Sequence, residues 1–146
     1  MFNTLPRSFY DRPTLDVARD LIGKVLVHDR RGVLTSGVIV EVEAYIGESD
    51  PACHAAPGPT RRNEPLYGAP GHAYVYLNYG IHCLVNVVTE ARGSPAAVLL
   101  RALTPLDGLD VMRRRRARAM KGRRKLSAAE LKDDDLCRGP GNLTMA

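Results

Sequence analysis

Residues Val38-Ile-Val-Glu-Val-Glu-Ala-Tyr45 alternate without interruption. Successive side chains of an extended strand point to opposite faces, so Val38, Val40, Val42 and Ala44 share one face and Glu41, Glu43 and Tyr45 the other. Two carboxylates beside an aromatic ring are an unusual choice for a strand face. A second run, Ala73-Tyr-Val-Tyr-Leu-Asn-Tyr79-Gly80, ends in a turn signal and is followed by another apolar stretch. That pattern predicts a hairpin with Tyr79 at its tip. A ring so placed can wedge between stacked bases, and the two runs together fit a nucleobase-reading site.

Working outward, Thr14 to Ile22 reads as a helix, with Pro13 before it, Thr14 as N-cap and Gly23 as its stop. Val25 to Val27 begin a strand, His28 to Gly32 turn the chain, and Val33 to Tyr45 return, with a bulge expected near Ser36-Gly37. Pro and Gly recur from Gly47 to Gly71, which predicts a long irregular loop, and loops of that length are commonly functional or disordered. Strands follow at Ala73 to Leu77, His82 to Thr89 and Ala97 to Leu103. The last two are nearly continuous in apolar residues and belong in the middle of a sheet. Leu106 to Met120 reads as a helix with Leu106, Leu109 and Met112 on its apolar side, and a short helix is expected at Ala128 to Leu131. The fold class is α+β: a single domain over residues 1–146, with a curved, mostly antiparallel, open-barrel-like sheet and peripheral helices.

Composition narrows the function classes. The chain has 146 residues, 45 % of them apolar, enough to build a core. No stretch approaches the ~20 consecutive apolar residues of a membrane span, and the first residues lack the pattern of a secretory signal. Membrane insertion and secretion are therefore disfavoured. Cys53, Cys83 and Cys137 are odd in number and widely spaced, as for free thiols in a reducing compartment, and they show no zinc-binding spacing. The net charge is +5, and nine of the thirteen positions from Arg113 to Lys125 are Arg or Lys. Such a cluster suits phosphate contacts with a polyanion, although a solvated helix face produces the same pattern.

Several side chains are candidates for chemistry. Glu41 and Glu43 can orient and deprotonate a water if held in a pocket; carboxylates on a solvent-facing strand are the plainer alternative. A paired-carboxylate glycosidase is the competing chemistry, but residues i and i+2 of a strand lie only about 6.5–7 Å apart at Cα, and a basic chain is a poor match for a neutral polysaccharide. Tyr45, Tyr67, Tyr74, Tyr76 and Tyr79 offer faces on which unpaired bases stack at roughly 1–3 kcal/mol each; a cross-strand ladder at the core edge would use them equally well. His54, in the Pro/Gly loop, can read a base edge or stand on the surface. Asn86 interrupts an apolar run, so it either ties strands together or screens a ligand. Arg101 has the same two readings, with a buried ion pair to a Glu as its structural one.

The residues also carry a resemblance. Leu5-Pro-Arg-Ser-Phe-Tyr-Asp-Arg-Pro-Thr14, Val40-Glu-Val-Glu-Ala-Tyr45, Asp50-Pro-Ala-Cys-His54, Arg62-Asn63, Tyr74-Val-Tyr76, Tyr79-Gly-Ile-His82, Asn86-Val-Val-Thr89, Leu99-Leu-Arg-Ala102 and Gly139-Pro-Gly-Asn-Leu143 occur in order along the chain. In them it resembles the alkyladenine (3-methyladenine) DNA glycosylases in their bacterial form. The resemblance implies a monofunctional repair enzyme that flips damaged purines from duplex DNA and hydrolyses the N-glycosidic bond. It assigns Glu43 and Arg101 to catalysis, Tyr45, His54, Tyr76 and Asn86 to the base, and Tyr79 to the vacated stack. Arg113, Arg114, Arg115 and Arg116 are the expected phosphate contacts, and Glu41 is left as structural support. No cofactor, metal, lysine Schiff base or strand cleavage is implied. The implied partner is double-stranded DNA containing damaged purines, bound by a monomer in the bacterial cytoplasm at the nucleoid.

Leu66-Tyr67 and Ile81 stand where the family more usually has Met-Phe and Met, which bears on substrate preference. The family also continues beyond Thr144, adding strands and a backbone group for the attacking water. This chain is therefore expected to be a fragment or a shortened member with an open sheet edge. A DNA-binding module without catalysis is the rival expectation.

Overall fold

The computed structural model describes residues 3–120 and 130–146. Helices α1 (Arg7–Tyr10) and α2 (Thr14–Leu21) precede strands β1 (Val25–Arg30) and β2 (Val33–Ile46). A loop containing one 3-10 turn, Glu64–Tyr67, leads to β3 (Ala73–Asn78), β4 (His82–Thr89) and β5 (Ala96–Asp107), followed by α3 (Leu109–Ala119), α4 (Asp133–Leu136) and α5 (Pro140–Met145). The strands form one sheet in the order β1-β2-β5-β4-β3, and β1–β2 and β4–β5 pair antiparallel. The fold is α+β, with the apolar β4 and β5 in internal positions as their sequences require.

The chain packs as two compact units, each assembled from separated segments. One contains the segment through Leu21 with Val42–Tyr76 and Val85–Leu100. Its core joins Cys53, Ala55, Leu66, Tyr74, Val88 and Ala97. Helix α2 buries Val17, Ala18 and Leu21 at spacings of three and four residues. Thr14 starts that helix differently from an ordinary N-cap: its main-chain N–H and its hydroxyl both donate to the Glu90 carboxylate, at 3.2 and 2.5 Å. An acidic group at this end complements the helix dipole. Thr89, 2.9 Å from the Thr14 hydroxyl, is left to donate to it.

The other unit contains Ile22–Glu41, Leu77–Leu84 and Arg101–Ala146. Residues Arg30 and Val33 pair, leaving Arg31 and Gly32 as a two-residue turn with φ of 56° and 79°. Positive φ at both positions is what a type I′ hairpin turn needs. The strand thus extends to Arg30, beyond the turn expected at His28. The bulge expected near Ser36-Gly37 is also absent from the β1–β2 ladder, whose register is unbroken from Val25↔Val38 to Arg30↔Val33. Gly37 serves a different need: a Cβ there would stand 2.9 Å from the Thr104 carbonyl oxygen and 3.0 Å from Leu103 Cβ. Only glycine lets the two backbones approach so closely.

Strand β5 also runs on through Leu106, which the helical spacing had placed in α3. Its end is pinned by Ser36, whose hydroxyl donates to Asp107 at 2.6 Å, and α3 begins only after the left-handed Gly108. Met112, Leu131, Leu136, Cys137 and Leu143 are buried around the terminal helices. Ala128 and Ala129, the first half of the short helix expected at Ala128 to Leu131, lie outside the described residues.

Candidate active site

Glu43 and Tyr45 lie two residues apart on β2, so the pleat brings both to one face. The Tyr45 hydroxyl donates to Glu43 Oε2 at 2.7 Å, and both side chains are half-buried. The local sequence thus supplies a carboxylate together with a group that orients it.

Strand β3 contributes Tyr74 and Tyr76, β4 contributes Asn86, and His54 comes from the long loop. With Tyr45 and Cys53 they line an open cavity of about 50 Å³. The His54 ring meets Tyr76 edge-on, with centroids 4.3 Å apart and an interplanar angle of 64°; its Nδ1 lies 3.0 Å from the Tyr74 hydroxyl. Tyr74 itself is buried, its ring belonging to the core as the plainer reading of the tyrosines required. Burial raises the Tyr74 and Tyr76 pKa values, and the Glu43 charge adds to the rise at Tyr76. Burial lowers that of His54, reinforced by the charge of Arg62. Asn86 ties strands together, its amide donating to the Tyr74 carbonyl at 3.2 Å, and it also lines the cavity.

The loop that carries His54 is fastened by a residue to which the sequence assigned no role. Asn63, 2 % exposed, donates through its amide to the carbonyls of His54 and Gly58 at 2.8 and 2.9 Å and accepts from the Thr60 N–H at 2.6 Å. The available signal was an Asn inside a Pro/Gly-rich loop, where such side chains take over backbone hydrogen bonding.

In the other unit, Arg101 Nε donates to Glu41 Oε1 at 2.9 Å, an ion pair to a Glu as its structural reading had it, but partly exposed where a buried one was expected. Tyr79 and Gly80 turn the β3–β4 hairpin with φ of 49° and 67°, and the Ile81 N–H closes the turn on the Asn78 carbonyl at 3.0 Å. Tyr79 is 90 % exposed. An L-residue in this conformation costs roughly 1–2 kcal/mol, so the hairpin holds a bulky ring in water in a strained backbone state.

The four expected phosphate contacts on α3 separate. Arg113 bonds Asp110 at 2.8 Å and also pairs with Asp133, and Arg115 donates to the Ala146 carbonyl at 3.1 Å. Arg116 corrects the expectation: it is 5 % exposed and donates to the carbonyls of Asp135 and Leu136, so its guanidinium fastens the polypeptide and does not face solvent. Burial lowers its pKa. Arg114 is exposed and makes no hydrogen bond among the described residues. The basic stretch beyond Met120 lies outside them.

Residues 8–146 match the family described as Methylpurine-DNA glycosylase (MPG). The chain belongs to that family. Three proteins bearing the name "Putative 3-methyladenine DNA glycosylase" illustrate the kinship. That of Methanocella arvoryzae is 50 % identical over 139 residues, covering 95 % of this chain and 64 % of the relative. That of Methanoculleus marisnigri is 50 % identical over 145 residues, covering 98 % and 67 %. That of Myxococcus xanthus is 58 % identical over 107 residues, covering 73 % and 55 %. Against these methylpurine-DNA glycosylase relatives the chain spans between 55 % and 67 % of their length. Among the described residues no helix is long and apolar enough to cross a membrane.

Proposed function

We propose that this chain carries the base-binding and hydrolytic residues of a monofunctional DNA glycosylase that removes alkylated purines of the 3-methyladenine type. The observation that carries the reading is the Glu43 carboxylate, held by the Tyr45 hydroxyl at 2.7 Å in the unit that also clusters His54, Tyr76 and Asn86. Family membership supports it.

The damaged nucleotide rotates out of the duplex at a cost of a few kcal/mol, smallest for a weakly paired base. Tyr79 occupies the vacated place in the stack. Its exposed ring and strained backbone support that role, since strain of this kind persists where a function requires it. Tyr45, His54 and Tyr76 hold the base, and Asn86 obstructs an unmodified guanine. Glu43 takes a proton from water, the water oxygen bonds to C1′, and the N-glycosidic bond breaks with its electron pair going to the purine. A cationic alkylated purine leaves as a neutral molecule, whereas a neutral lesion must gain a proton.

The test is base release from alkylated duplex DNA. Wild-type protein releases 3-methyladenine, while Glu43→Gln binds the same DNA and releases none. Equal release by the two would remove Glu43 from this role. For Tyr79→Ala, affinity for lesion-containing duplex falls while affinity for undamaged duplex changes little; an equal loss on both duplexes would count against the wedge.

A further inference from the structure

We propose that Tyr74 is a positioning residue for this site: its phenol donates to His54 Nδ1 and so presents the imidazole Nε2–H as a fixed hydrogen-bond donor to the flipped base. The inference rests on the base-binding reading of His54.

Tyr74 is 3 % exposed, and its hydroxyl lies 3.0 Å from His54 Nδ1. If Nδ1 carried the proton, the phenol oxygen would accept it, and the phenol's own hydrogen would need another acceptor. No protein group among the described residues offers one: His54 Nδ1 is the one hydrogen-bond partner of the Tyr74 hydroxyl there. A buried donor left unsatisfied costs about 1–3 kcal/mol, enough to decide between two tautomers. Tyr74 therefore donates, Nδ1 accepts, and the remaining ring proton resides on Nε2. The edge-on contact with Tyr76 and the Asn63 bond to the His54 carbonyl hold ring and backbone in place.

The titratable and charged groups acting on His54 agree in direction. Burial keeps the Tyr74 phenol protonated, and burial together with the Arg62 charge keeps the imidazole neutral; Tyr76 contributes a neutral ring. A donor fixed at Nε2 matches a ring nitrogen or carbonyl oxygen on the base edge it meets and mismatches an exocyclic amino group. A neutral imidazole also adds no positive charge against a cationic alkylated purine.

The test is 15N–1H NMR of the uniformly labelled chain, with His54 assigned by its loss in His54→Gln. In the wild type, Nε2 is protonated and Nδ1 is not, and His54 titrates below the ordinary value of 6.5. In Tyr74→Phe the midpoint rises toward that value, because the bond that favoured the neutral ring is gone. A proton on Nδ1 in the wild type would overturn the proposal without any variant, and so would equal midpoints in wild type and Tyr74→Phe. In base-release assays, the rate of Tyr74→Phe relative to wild type falls on acidifying below an ordinary histidine midpoint; a constant ratio would also overturn it. Should Glu43→Gln still release bases, the glycosylase reading fails while the NMR result stands, so the two failures are distinguishable.

Discussion

Strand β2 and helix α3 each repeat one kind of charge, and in each the repeats part company once their partners are known. On β2, Glu41 is tied to Arg101 and stands more than half exposed, while Glu43 is half-buried under the Tyr45 hydroxyl. On α3, Arg116 is spent on two main-chain carbonyls, while Arg114 faces water. A like residue two positions away thus does a different job, and the partner decides which. The strand sorts a catalytic candidate from a structural one, whereas the helix sorts a structural residue from a candidate phosphate contact.

The largest expected effect separates the two carboxylates. Glu43→Gln removes the group that takes the proton from water, and positioned acid–base groups contribute typically ~10²–10⁴-fold, so single-turnover release falls by about that factor. Next comes the helix. Arg116→Met leaves the carbonyls of Asp135 and Leu136 without their donor, and denaturant unfolding should show a loss of about 1–3 kcal/mol; the buried Arg116 Nε, which has no partner among the described residues, keeps the loss from being larger. An unchanged midpoint would return Arg116 to the surface set.

The sequence made part of this legible. Strict alternation placed Glu41, Glu43 and Tyr45 on one face, and the Asn-Tyr-Gly signal placed Tyr79 at a hairpin tip, because both patterns follow from local backbone geometry. Choices settled by tertiary contact were not visible. Gly37 read as a bulge because the approach of β5 leaves no mark near it in the sequence, and Leu106 read as helical because nothing local announces the Ser36–Asp107 bond that prolongs the strand. Arg116 is indistinguishable from Arg114 in composition. Asn63 carried a turn signal without any indication of the three loop groups it would bind.

Smaller effects sharpen the contrast further. Tyr45→Phe keeps the ring and deletes the hydroxyl, and loss of one hydrogen bond to a charged group, about 1.5 kcal/mol, should slow release about tenfold while binding of lesion-containing duplex is retained. Unchanged release by Tyr45→Phe would show that the hydroxyl does not act on Glu43. For Arg114→Gln, the slope of log K against log salt should flatten by about 0.9, the value for one phosphate contact, and Arg116→Met should leave that slope unchanged. Smallest of all, Glu41→Gln breaks a partly exposed ion pair worth about 0–1 kcal/mol.

The most direct measurement compares the two β2 carboxylates: single-turnover release of 3-methyladenine from alkylated duplex DNA by wild type, Glu43→Gln and Glu41→Gln under saturating protein. Wild type should release the base, Glu41→Gln should release it at a near-normal rate, and Glu43→Gln should lose about a hundredfold or more with lesion binding retained. Equal rates for the two variants, or a greater loss from Glu41→Gln, would contradict these expectations.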